Sequence, residues 1–292
     1  MDLMGESETH GDRRRETKEK KRKKKKRNEK SKQHADHNPS STDHFPSSTD
    51  KLMELLKMKE PIFLFAIVIF FSLFRSLGVN IIDAVSSPEV SEFLGNKKNI
   101  LNRIIVTGGW AWTLAFVSIN AFVMVILSRQ GRWRQLVDAF VRLFVATAVW
   151  WILTSLFEYI EFLTGSCSDE SVGEVIACKR GGLQWIGFDI SGHTFLLMFC
   201  VLVVRMEQLN HFHSLSLGCQ LWQVFLVSIM SYLSFVLLVV YTFMLVVTSS
   251  YFHVFWHKAF GAMFAWLGWL FVYLLANRLR YLTANIAYIR DL

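Results

Sequence analysis

The sequence predicts an all-α fold, a polytopic membrane helical bundle of about six transmembrane helices preceded by a disordered basic tail. Three observations carry that prediction. Hydrophobic residues make up 52% of the 292-residue chain, the excess positive charge is confined to one short stretch, and the apolar residues fall in runs long enough to cross a bilayer. Charge and hydrophobicity are therefore segregated along the chain rather than mixed as on a soluble surface.

The tail, residues 1–60, comes first. Residues 13–32 hold 14 Lys or Arg against three Glu, whereas residues 61–292 hold 15 basic and 12 acidic groups, so the dense positive charge lies in the tail and the remainder is close to neutral. A run such as Lys20 to Lys26, followed by the polar stretch Ser40 to Asp50, buries too little apolar surface to offset its chain entropy and is expected to be disordered. Two readings of it stay open: attraction to anionic lipid on the cytoplasmic face, at about 1 kcal/mol per basic residue, or a solvated tail that mainly fixes topology. Nucleic-acid binding is not expected beside so hydrophobic a remainder.

A bilayer core needs roughly 20 apolar residues per helix. Six stretches meet that length, approximately Pro61 to Ile82, Ile104 to Leu127, Leu136 to Leu163, Ile190 to Met206, Leu221 to Val247 and Tyr251 to Ala276. None alternates as a barrel strand does, and Phe225 to Val247 is apolar on every face, so each reads as a helix. No cleavable signal peptide is visible before residue 61, and the first run is expected to act as a signal anchor. With the tail in the cytosol, six crossings return residues 277–292 to the cytosol. Arg129, Arg132, Arg134, Arg205, Arg278 and Arg280 then lie inside, as the positive-inside rule requires. Residues 83–103 and 164–189 fall on the opposite side. Cys167 and Cys178 share the second of these segments, where an oxidising lumen would allow a disulfide, with two free thiols as the alternative.

Ionisable groups at membrane depth are functional candidates by default. Arg75, Arg142, Glu158 and Glu161 are expected to lie near helix ends and snorkel. Asp189, His193, His253, His257 and Lys258 behave differently. Asp189, His193 and His253 all fall at helix starts, and helices four and six enter from the same non-cytosolic side, which brings two histidines sixty residues apart to one depth. The stretch Gly187-Phe-Asp-Ile-Ser-Gly-His-Thr-Phe-Leu-Leu197 supplies what a phosphate needs: a turn containing Gly192, a capping Asp189 or Ser191, and helix-terminal N–H groups. One histidine can protonate a leaving oxygen while another attacks phosphorus or activates water, and Lys258 could neutralise phosphate charge. His253 and His257 also stand at i and i+4, a spacing that suits a metal. Only His193 or Asp189 could complete such a set, however, so no metal and no cofactor is expected.

The ordered blocks Asn96-Lys-Lys-Asn-Ile-Leu-Asn102, Trp110-Ala-Trp-Thr113, Thr147-Ala-Val-Trp-Trp-Ile-Leu-Thr-Ser155, Thr164-Gly-Ser-Cys167, the Gly187 to Leu197 stretch, and Tyr251-Phe-His253 with Lys258-Ala-Phe-Gly261 resemble the fat storage-inducing transmembrane family. The resemblance implies a six-helix endoplasmic reticulum protein needed for lipid droplet formation. It also implies binding of triacylglycerol and diacylglycerol, and acyl-CoA diphosphatase activity giving acyl phosphopantetheine and adenosine 3′,5′-bisphosphate. The family is distantly similar to lipid phosphate phosphatases, by which analogy His253 is the nucleophile and His193, in Ser191-Gly192-His193, protonates the leaving group. Those phosphatases carry an Arg where this chain has Val247 and an Asp where it has His257, and their first motif is missing. Lys258, Lys97 or Lys98 must then supply the positive charge, and nothing in the sequence identifies what orients His253. A non-catalytic alternative remains, a bundle that binds neutral lipid and partitions it into droplets, with Phe195, Leu196 and Leu197 as lipid contacts. Channel or transporter function is not expected without inverted repeats.

Overall fold

The computed structural model describes residues 48–127, 133–169, 171–212 and 220–290. Expectations resting on the basic tail before residue 48 and on Arg129 and Arg132 lie outside those residues. Every contact described below lies within the larger of the two units into which the chain divides, Glu54–Leu292.

Six long helices stand where the apolar runs placed them: α1 Ser48–Ser76, then, after two short helices α2 Ile81–Val85 and α3 Pro88–Gly95, α4 Gly109–Leu127, α5 Trp133–Thr164, α7 Gly192–Phe212, α8 Leu221–Tyr251 and α9 Phe255–Arg290. The short helix α6 Val175–Arg180 lies between β1 Ser166–Cys167 and β2 Trp185–Ile186, which pair antiparallel. Among the described residues four helices are long and apolar enough to cross a membrane, over Gln135–Thr164, Gly192–Leu209, Leu221–Tyr251 and Phe255–Ala276, and Gly109–Val123 is a shorter apolar helix.

Two boundaries differ from expectation. Helix α1 begins at Ser48, inside what reads as tail, because Lys51 to Glu60 is rich in Leu, Met, Lys and Glu, all strong helix formers. At the other end α9 runs on through the expected C-terminal segment to Arg290.

The packing is ordered by polarity. Helix α7 is the most enclosed of the four spans and α8 the least, although α8 is the more apolar. In lipid this is the expected sense: an all-apolar helix faces acyl chains at no cost, while a span carrying Thr194, Glu207 and Gln208 must be sheltered. Around α7, Trp110 of α4, Phe157 of α5, Tyr241 of α8 and Ala265 of α9 close one continuous core. Polar ties cross it. Arg142 of α5 donates from Nε to Glu207 Oε1 at 2.6 Å and from a terminal nitrogen to Oε2 at 2.7 Å, and the Tyr273 hydroxyl of α9 donates to Oε1 at 3.0 Å. Arg142 is thus held inside the bundle and does not snorkel. Near the same end Arg205 pairs with Glu60 of α1. Tyr241 donates to the Gly109 carbonyl at 2.9 Å and shares a hydroxyl contact with Thr113 at 3.1 Å.

The other end of the bundle positions the site. The Phe188 N–H donates to Thr164 Oγ1 at 2.8 Å, tying the start of α7 to the end of α5. Cys167 and Cys178 are joined in a disulfide with Cα atoms 5.8 Å apart, closing the α5–α7 connection. Helices α8 and α9 meet there through only Phe252 to Val254.

Candidate functional site

The start of α7 is built by Ser191. Its hydroxyl accepts from the Thr194 N–H at 3.3 Å and contacts Thr194 Oγ1 at 2.9 Å, which makes Ser191 the N-cap. Its own N–H donates to the His257 carbonyl at 3.0 Å, fastening this turn to the first turn of α9. The two backbones meet closely because Gly261 faces the turn: a Cβ there would lie 2.7 Å from the Ser191 carbonyl oxygen. Gly192 is the opposite case, with nothing within 4 Å of where a Cβ would stand.

His253 sits in the three-residue link before α9 with φ of 54°, the only non-glycine residue with positive φ among the described residues. The left-handed region costs an ordinary L-residue on the order of 1 kcal/mol and persists only where the surroundings impose it. Here the strained backbone turns the ring toward the α7 turn: Nδ1 stands 3.2 Å from Asp189 Oδ2, with 17% of the His253 side chain and 50% of the Asp189 side chain exposed. The contact is long for a charge-assisted hydrogen bond of about 2.8 Å, as catalytic contacts commonly are before substrate closes a site. It is still the main reason the Asp189 carboxyl is held below the ordinary carboxylate range. His193, partly buried in the first turn of α7, is within electrostatic reach of His253, Asp189 and Lys97. His257 packs its ring edge to face against Phe188, centroids 4.8 Å apart, and offers a nitrogen within 4.8 Å of donor atoms on Asp189 and His253.

The positive charge at the site comes from the α3–α4 connection. Asn102 donates from its side-chain amide to the Lys97 carbonyl at 2.8 Å and from its backbone N–H to Asn99 Oδ1 at 2.6 Å, the Asn99 amide donates to the Phe93 carbonyl at 2.9 Å, and Asn96 Oδ1 accepts from the Lys98 N–H at 2.9 Å. This asparagine-locked turn leaves Lys97 exposed and close enough to act on both Asp189 and His193.

Four expectations change. Lys258 does not face the site: it is fully buried, and its Nζ donates to the Ser249 carbonyl at 2.6 Å, satisfying a helix-end acceptor of α8. Phe195, Leu196 and Leu197 do not contact bulk lipid but lie in the core, Phe195 against Phe157 and Phe199, because α7 is the central helix. His253 and His257 do not share a helix face, since α9 starts at Phe255. Asp189 does not cap α7; it is the partner of His253 that the sequence leaves unnamed. Only chain folding brings the two together across 64 residues, and no local pattern signals it.

Comparison with known proteins adds a lineage. The family described as Fat storage-inducing transmembrane protein matches residues 90–170 and 159–224. Acyl-coenzyme A diphosphatase FITM2 of Mus musculus is 36% identical over 203 residues, covering 64% of this chain and 74% of that protein. The Homo sapiens protein of the same name is 32% identical over 199 residues with the same coverage. Fat storage-inducing transmembrane protein 1 of Homo sapiens is 33% identical over 189 residues, covering 60% of this chain and 62% of that protein. No solved structure matches the chain.

Proposed function

This chain belongs to the fat storage-inducing transmembrane protein family, and from that membership and the site geometry we propose that it is an acyl-CoA diphosphatase. In this reading the His253 Nε2 attacks one phosphorus of the acyl-CoA pyrophosphate. An N–P bond forms as the anhydride P–O bond breaks, and the leaving phosphate oxygen takes a proton from His193. Water then attacks the phosphohistidine, losing its proton to His193 and restoring the free imidazole, so acyl phosphopantetheine and adenosine 3′,5′-bisphosphate are released. Asp189 holds the ring through Nδ1 and stabilises the imidazolium. Lys97 and the N–H groups at the start of α7 meet the phosphate charge.

The observation that carries this reading is the Asp189–His253 contact, made on a backbone forced into the left-handed region. A carboxylate behind one nitrogen of an imidazole leaves the other basic and aimed, the arrangement a nucleophile needs. The test is hydrolysis of oleoyl-CoA by purified protein: wild type cleaves it, and His193→Ala and His253→Ala, inserted at equal level, do not. Full activity in either variant overturns the assignment.

Residence in the endoplasmic reticulum membrane, with cytosolic termini and the site in the lumen, belongs to the same reading. It is supported by the Cys167–Cys178 disulfide at the end of the bundle where the site lies, since disulfides persist in oxidising compartments. Triacylglycerol and diacylglycerol, as further partners in droplet formation, would meet outward faces such as Phe225, Phe235 and Phe243 of α8. No observation favours the non-catalytic alternative.

A further inference from the structure

The sequence offers His253 and His257 with His193 or Asp189 as the further metal ligand; the fold selects Asp189. Asp189, His253 and His257 each present a ligand atom within 4.8 Å of the other two. All three side chains are neither fully buried nor fully exposed. We propose that these residues form a binding site for a divalent transition-metal ion, and that its occupancy switches the hydrolase off.

The donor set selects the metal. Two imidazoles and one carboxylate suit zinc or a similar borderline ion and not magnesium, which prefers oxygen donors and keeps its waters. A tetrahedral zinc site spaces its ligand atoms about 3.3 Å apart. Asp189 and His253 already stand at 3.2 Å, so His257 alone must close in. Three protein ligands leave a fourth position open to water or a phosphate oxygen.

The inhibitory direction follows from which atoms are used. The Nδ1 of His253 and the carboxylate of Asp189, now facing each other, would both turn to the metal. That breaks their mutual contact, and it draws electron density from the imidazole whose second nitrogen must attack phosphorus. Metal binding and nucleophilic attack therefore compete for one ring.

The hydrolysis proposed above uses no group of the His257 side chain, which makes His257→Gln the deciding variant. Full-length protein purified in detergent and stripped with chelator is titrated with Zn2+, with Mg2+ as control. Tail histidines such as His34 and His37 can add background binding that both proteins share. Wild type is expected to take up one more tightly held Zn2+ than His257→Gln. The variant's affinity at this site should fall at least about 100-fold, since losing even a supporting contact costs about 10- to 100-fold. In the oleoyl-CoA assay, Zn2+ is expected to suppress wild type reversibly with chelator and to spare His257→Gln, whose metal-free turnover equals that of wild type. Equal zinc stoichiometry in the two proteins overturns the site, and zinc activation of wild type overturns the inhibitory direction. The activity arm rests on the proposed diphosphatase reading while the titration does not, so absent hydrolysis would sink that reading and still leave the site to be decided by binding.

Discussion

Replacing Asp189 by Asn tests the central contact with little change in shape. A hydrogen bond to a charged group is worth about 1.5–3 kcal/mol. Half of the Asp189 side chain is exposed, so solvent screening reduces this to about 1–2 kcal/mol. The interaction matters most once the N–P bond has made the His253 ring cationic, so the loss falls on the transition state and not on substrate binding. At about 1.4 kcal/mol per tenfold, turnover should fall about 5- to 30-fold with KM changed less than about twofold. The assay is initial-rate release of adenosine 3′,5′-bisphosphate from oleoyl-CoA across a pH series. The carboxyl is held below the ordinary range, so its contribution is complete above about pH 4 and disappears as pH falls through the lowered value. Titration of Asp189 itself should therefore add no pH dependence to the wild-type advantage over Asp189→Asn above about pH 5, where the carboxyl is fully ionised. A variant with turnover within about twofold of wild type would refute the idea that Asp189 supports the nucleophile.

Other perturbations separate the cations and the packing. Lys97→Ala should raise KM about two- to fivefold, the value of an exposed charge pair, with the effect shrinking as salt rises; Lys258→Met should leave KM unchanged, because that amine is committed to the Ser249 carbonyl. Gly261→Ala pushes a methyl to 2.7 Å from the Ser191 oxygen and should cost about 1–3 kcal/mol of stability, read as a lower Tm in detergent, whereas Gly192→Ala, with open space around it, should not move Tm. Glu207→Gln breaks the bidentate pair with Arg142 and should cost about 3–5 kcal/mol, while a double Arg142→Met, Glu207→Leu variant should recover most of it.

What the sequence reveals and what it hides divide along one physical line. The helices are legible because a bilayer imposes a length and forbids unpaired backbone, so runs such as Phe225 to Val247 admit one reading. The start of α7 is legible because a Ser before an apolar run marks a helix cap. The pairing of Asp189 with His253 and of Arg142 with Glu207 is not, since each joins residues more than 60 positions apart. Nor is the left-handed turn at His253, which lacks the Gly or Asn that usually announces positive φ.

The misplacement of Phe195, Leu196 and Leu197 is more instructive, because the signal was present. Apolar side chains in a membrane span say nothing about which way they face, since lipid and protein interior are equally apolar. Polar residues do discriminate, because only the interior can satisfy them. Among the four membrane-length helices, α7 carries Thr194, Arg205, Glu207 and Gln208 within its span, and α8 carries no charged residue at all. That contrast agrees with α8 at the rim, whereas the central place of α7 is set by packing as well, since α5 carries Asp138, Arg142, Glu158 and Glu161 in its span and is the less enclosed of the two. It follows that the turn facing Asp189 and His253 is mounted on the most enclosed of the four spans, which gives the strained link at His253 a fixed partner to pack against.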